Sequence, residues 1–203
     1  MRRLRLGLWA LAGLAAIAGV VIALNPPPPG SKAPLSRETS IASIGGPFTL
    51  TGSDGKPFAS SHLLGNPAAI FFGFTRCPDV CPTTMLEMKE VMRKLGPDAD
   101  KVQVLFVTLD PERDTQQVLA QYVPAFDPRF LGLFGDSATT LKTAKEFKVF
   151  YEKRPGSSPG AYTIDHTAAS FVFDRKGRLR LYVKHDQIGT LPDDIRTLLN
   201  EPS

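Results

Sequence analysis

An α/β fold with a mixed central sheet and flanking helices is predicted by three observations. Short apolar runs rich in Val, Ile and Phe alternate with stretches of helical periodicity over most of the chain. Two alternating runs joined by Asp174-Arg175-Lys176-Gly177 end that pattern as an antiparallel pair, so the sheet is not purely parallel. The only two cysteines, Cys77 and Cys81, fall where the first long apolar run gives way to a helix.

The N-terminus precedes this fold. Leu6 to Leu24 is an uncharged apolar run of 19 residues, after Arg2, Arg3 and Arg5. Its length is close to the ~20 residues that cross a bilayer. Arginines ahead of the run keep that end in the cytoplasm and send the rest across. A cleaved signal peptide has a shorter apolar region of ~7–15 residues and a small-x-small exit, which Ala23-Leu24-Asn25 lacks. Residues 1–24 are therefore expected to form a single-pass anchor, a transmembrane helix in a bacterial inner membrane with the domain in the periplasm. Residues 25–47 open with Pro26-Pro27-Pro28-Pro29 and read as a stiff polyproline stalk. Residues 48–203 form the globular domain.

Within the domain, Phe48-Thr49-Leu50-Thr51 and Gly55-Lys56-Pro57-Phe58 form a hairpin turning at Asp54-Gly55. Ala68 to Phe74 is a buried strand. From about Pro82 a helix follows, with Met85, Met88, Val91, Met92 and Leu95 at helical spacing and Gly96-Pro97 as its stop. Val102 to Leu109 is a second buried strand. Asp110-Pro111-Glu112-Arg113-Asp114-Thr115 reads as a turn that caps the helix Gln116 to Tyr122. At a strand's carboxyl end it can also face the cysteines. Phe130 to Phe134 is a short strand, and Ser137 is expected to cap a helix to Phe147. Val149 to Tyr151 is extended, and Arg154 to Gly160 is a loop. His166 is expected in a loop just before the strand Ala169 to Asp174. Leu179 to Val183 pairs with that strand, and Leu191 to Leu199 is the last helix. A cysteine pair after the first long strand of such a chain fits a thioredoxin-like domain.

Formal net charge is +4, but three of the cations are the N-terminal arginines and the remainder is nearly balanced. No basic stripe with interleaved aromatics suggests nucleic acid. One closely spaced cysteine pair marks a site rather than a disulfide framework. A thiol at a helix start has a lowered pKa, and the thiolate is both nucleophile and metal ligand. Cα atoms four apart on a helix are ~6 Å apart. That separation suits a disulfide, whose range is ~4.4–6.8 Å, and also a shared metal with bonds of ~2.3 Å. The spacing alone leaves redox exchange, peroxide reduction and metal binding open. Two soft thiolates and one imidazole suit copper, whereas a closed zinc site wants a fourth ligand. Among the three histidines, His166 is favoured over His185 and His62, because it precedes a buried strand and adjoins Asp165, which can orient the ring. His62 is assigned a surface or capping role.

Three segments, Gly73-Phe74-Thr75-Arg76-Cys77-Pro78-Asp79-Val80-Cys81-Pro82-Thr83-Thr84, Asp110 to Thr115 and Tyr162-Thr163-Ile164-Asp165-His166-Thr167, closely resemble the Sco (SenC) family of copper proteins. The resemblance runs from about Phe48 to Leu199. It implies a thioredoxin-like domain that binds one copper ion, Cu(I) or Cu(II), through Cys77, Cys81 and His166. It also implies a role in assembling the dinuclear copper centre of cytochrome c oxidase. The expected partners are the copper-bearing subunit of that oxidase and other periplasmic copper chaperones or thiol reductants. The alternative is an enzyme in which Cys77 and Cys81 are the catalytic redox pair of a thiol-disulfide reductase acting on the oxidase's cysteines. Ordinary thioredoxin-like reductases use Cys-x-x-Cys without a distant histidine. A peroxiredoxin places threonine three before its cysteine, whereas Thr75 stands two before Cys77.

Overall fold

The computed structural model describes residues 44–156, 158 and 161–202. The expected anchor, and the expected stalk up to residue 43, lie outside the described residues. Among the described residues, no helix is long and apolar enough to cross a membrane.

Three strands carry the domain's centre. β3 (Ala68–Gly73) is buried along its whole length. It runs parallel to β4 (Gln103–Thr108), which runs parallel to β5 (Leu131–Phe134). Parallel strands have both faces covered, so they read as continuous apolar runs. β8 (Ala169–Phe173) lies antiparallel on the other edge of β3, with β9 (Leu179–Lys184) outside it. The hairpin β1 (Thr49–Gly52) and β2 (Pro57–Ala59) extends the sheet beyond β5. Gly55 takes the positive φ of 81° that its turn requires. The order is β2-β1-β5-β4-β3-β8-β9. This is the expected mixed sheet.

Side chains alternate across the sheet. Ile70 and Phe72 of β3 join Leu105, Val107 and Phe171 in a cluster that Phe147 completes from the end of α3 (Ser137–Glu146). The Phe147 ring contacts Phe48, Phe72, Phe171 and Phe173. Phe71 and Phe106 point to the opposite face. There Tyr122 of α2 (Gln116–Tyr122) stacks obliquely on Phe106, beside α1 (Val80–Leu95) and α4 (Leu191–Asn200), which pack on each other. Helices thus flank both faces, as the alternating pattern predicts.

Two expectations need correction. The α3 cap is Asp136, whose Oδ1 accepts from Thr139 N at 2.7 Å, and not Ser137, which is the first helical residue. More consequentially, Arg154-Pro155 and Tyr162 to His166 are not loop. β6 (Tyr151–Pro155) and β7 (Tyr162–His166) form a separate antiparallel hairpin in which Tyr151 faces His166. β6 is exposed except at Tyr151, so it carries no apolar alternation to read.

The β8–β9 turn is held by one carboxylate. Asp174, 2% exposed, accepts from the backbone N–H of Lys176 and Arg178 at 2.9 and 3.0 Å, and from the Arg178 Nε at 2.8 Å. Burial opposes its ionisation, but these donors outweigh burial and hold its pKa below the ordinary 3.8. A depressed carboxyl pKa stabilises the fold above the unfolded value, and that contribution is lost as pH falls through the folded value. Asp174→Asn should therefore lower stability at pH 7 and flatten its decline below about pH 4. Urea titrations at pH 7 and pH 3 check this; parallel loss at both pH values would contradict it.

Candidate metal centre

The cysteine loop begins where β3 ends. Phe74 is buried, and its carbonyl accepts from Cys77 N at 3.2 Å. The chain then turns through Pro78 and Asp79 into α1, which starts at Val80, two residues earlier than the periodicity predicts. Pro82 is tolerated because first-turn amides have no helical acceptor. Cys81 sits in that first turn and Cys77 just ahead of it. No side chain of Asp79 caps the helix. Instead the Cys77 sulfur receives Cys81 N–H at 3.5 Å. A free amide of a helix start thus points at the thiol.

Cys77 is half-buried, Cys81 is fully buried, and both are free thiols. Gly73 explains how Cys81 fits: a Cβ there would lie 2.9 Å from the Cys81 Sγ and 2.9 Å from the Phe71 ring. His166 arrives from the end of β7. Its Nε2 lies 3.4 Å from Cys81 Sγ, and its Nδ1 lies 3.0 Å from the Thr167 carbonyl. Phe71 and Phe74 hold the ring edge-on, with centroids 6.2 and 5.9 Å away. One ligand atom from each of Cys77, Cys81 and His166 lies within 4.8 Å of the others. The two sulfurs and one imidazole nitrogen form a compact set open to a soft, thiophilic ion.

The two thiols share a proton unequally. The Cys81 thiol donates to the Cys77 sulfur, which lowers Cys77 to about 4 against the resistance of burial. His166 and the backbone at Asp79 and Cys81 add to that shift. The same hydrogen bond, with burial, pushes Cys81 up. Cys77 is the thiolate and Cys81 its donor.

The other histidines stand elsewhere. His62 Nδ1 accepts from Ala59 N at 3.1 Å, which is the capping role expected of it. His185 is exposed at the end of β9. Asp165 does not orient the His166 ring: on a strand, neighbours point to opposite sides. Its carboxylate pairs with Arg154 Nε at 3.0 Å, and the Thr167 carbonyl takes the place at Nδ1.

The segment Asp110 to Thr115 does more than turn and cap. Thr115 Oγ1 caps α2 through Val118 N. Asp114, completely buried, accepts from Thr75 N at 3.0 Å and Thr75 Oγ1 at 2.6 Å, two residues before Cys77. Its burial outweighs these donors and raises its pKa. It lies in the loop that follows β4, the strand beside β3, where a segment can face the cysteine loop.

Comparison with known proteins agrees with this geometry. A family profile described as SCO1/SenC matches residues 36–200. An SCO2-like protein of Rickettsia felis is 36% identical over 171 residues, covering 82% of each chain. Bradyrhizobium japonicum ScoI, solved with copper bound, is 42% identical at a TM-score of 0.71, over 76% of this chain and 99% of that one. Yeast Sco1, also solved with copper bound, is 31% identical at 0.71, over 79% of this chain and 91% of that one. With the thioredoxin-like fold, the two free cysteines and the histidine all in the positions the motifs require, the chain belongs to the SCO1/SenC family.

Proposed function

We propose that this protein is a copper chaperone. It binds one copper ion through Cys77, Cys81 and His166 and assists metallation of the dinuclear copper centre of cytochrome c oxidase. Residues 1–24 tether it to a bacterial inner membrane with the domain in the periplasm. The observation that carries the reading is the convergence of two reduced sulfurs and one imidazole nitrogen within 4.8 Å. Copper is the ion this donor set suits, and ScoI and yeast Sco1 were solved with copper bound. Three protein ligands leave room for a ligand of the acceptor, as transfer requires. The oxidase as destination rests on the motif resemblance, and the anchor on the length of the Leu6–Leu24 run.

A second reading, thiol-disulfide reductase, is favoured by the low pKa of the half-exposed Cys77 beside the buried Cys81 thiol. In that chemistry the Cys77 thiolate attacks a target disulfide and releases one target thiolate. Cys81 then attacks Cys77, releases the second and leaves a Cys77–Cys81 disulfide. The two readings separate when the full chain meets the oxidase's copper-bearing subunit. Copper-loaded protein should transfer its ion to the reduced subunit. Thiol release from the oxidised subunit without any copper transfer would favour the reductase.

The metal-free thiolate has its own signature. With Cys77 at about 4, alkylation by iodoacetamide should be nearly independent of pH between 5 and 8 and confined to Cys77. A rate that climbs roughly tenfold per pH unit in that window, as for an ordinary thiol near 8.5, would contradict the assignment.

A further inference from the structure

The three ligands come from two separately built pieces, the loop after β3 with the first turn of α1, and the β6–β7 hairpin, which belongs to a different sheet. The segment between Asp110 and Asp114 touches both. Asp114 secures the cysteine side by taking both donors of Thr75, and Thr108 Oγ1 at 2.6 Å. Asp110 secures the histidine side. It is completely buried, pairs with Arg113 Nε, and accepts from Tyr162 Oη at 2.6 Å. Arg113 Nη1 donates to the Tyr162 carbonyl at 2.8 Å, and its guanidinium lies 3.5 Å over the Tyr162 ring. Glu112 adds an exposed ion pair to Lys153 of β6 at 2.6 Å. The two ends are welded together: Asp114 N and Arg113 N both donate to the Asp110 carbonyl, at 2.8 and 3.1 Å.

Tyr162 and His166 are four apart on β7 and share a face with the buried Ile164 between them. Fixing Tyr162 therefore fixes the line along which His166 is presented, at ~13 Å by strand rise. Among the described residues, the His166 ring has the Thr167 carbonyl as its hydrogen-bond partner besides the two cysteines.

We propose that Asp110, Arg113 and Tyr162 are positioning residues for His166. This segment sets the distance between the imidazole and the two sulfurs before any metal arrives. The proposal rests on the copper reading for its consequence and not for its geometry. A ligand held ready binds without the ordering cost that a loose hairpin would add.

The test uses the full chain and two variants, Arg113→Lys and Tyr162→Phe, each in the wild-type and the His166→Ala background. Tyr162→Phe removes only the hydroxyl and keeps the ring under Arg113, so it preserves folding if Arg113→Lys does not. Arg113→Lys should cost ~10-fold or more in copper affinity, as loss of a ligand's supporting contact does. Tyr162→Phe should act in the same direction and less strongly. Both losses should shrink to under about twofold in the His166→Ala background, because residues acting through one group are not additive. A second readout needs no metal: the His166 ring nitrogen resonances of the reduced, copper-free protein should shift in both variants, while the His62 ring stays unchanged. Equal affinity losses with and without His166, or unmoved His166 resonances, would overturn the proposal. If the wild type binds no copper, the copper reading fails and the resonances alone decide the positioning role.

Discussion

Cys81→Ser is expected to lower copper affinity by at least a hundredfold while the domain stays folded. Loss of a contact that merely supports a metal ligand already costs ~10–100-fold. Removal of a soft sulfur donor for a soft ion should exceed that. Serine is slightly smaller than cysteine, so it fits the space between Gly73, Phe71 and the His166 ring. Serine keeps a hydrogen-bond donor beside Cys77, whereas Cys81→Ala removes it, so in Cys81→Ala the Cys77 pKa should rise toward the ordinary thiol range. His166→Ala should cost ~10–100-fold and leave the dithiol intact. Anaerobic competition against a copper chelator measures both affinities. Wild-type affinity in Cys81→Ser would show that the ion binds elsewhere.

Phe147→Ala should be the most damaging change to stability, by ~3–5 kcal/mol. Phe147 is 1% exposed and meets four other phenylalanines, from β3, β8 and the chain ahead of β1. β3, β8, the residue ahead of β1 and the end of α3 converge on that one ring, so no single neighbour can collapse into the space it leaves. The midpoint of urea unfolding should fall steeply with an unchanged slope. A loss under about 1 kcal/mol would mean the cluster repacks. The site lies on the opposite face of the sheet, so copper affinity of the folded fraction should be unaffected.

What was legible in the sequence follows from where the information sits. β3, β4 and β8 announce themselves because strands covered on both faces must be apolar throughout. Cys77 and Cys81 form a local pattern, so their shared site could be read from spacing and from the strand–helix junction. His166 lies 85 residues from Cys81, and only donor chemistry and motif resemblance could bring it in. Neither strand of its hairpin prints an apolar alternation on the sequence: β6 is exposed beyond Tyr151, and β7 buries Ile164 alone. Asp165 was misjudged for a related reason. Once β7 is a strand, alternation turns Asp165 away from the ring it adjoins. The acidic segment hid its role in distance: Asp114 finds Thr75 across 39 residues, and Asp110 finds Tyr162 across 52. Locally it is a turn and a cap, as Thr115 shows. Only the parallel pairing of β3 with β4 delivers it to the cysteine loop.

The most direct test of the site is X-ray absorption at the copper edge on the full chain loaded anaerobically with one equivalent of Cu(I). The geometry predicts two sulfur ligands and one imidazole nitrogen, with the nitrogen absent in His166→Ala. A first coordination sphere without sulfur, or one that His166→Ala leaves unchanged, would contradict the three-ligand site.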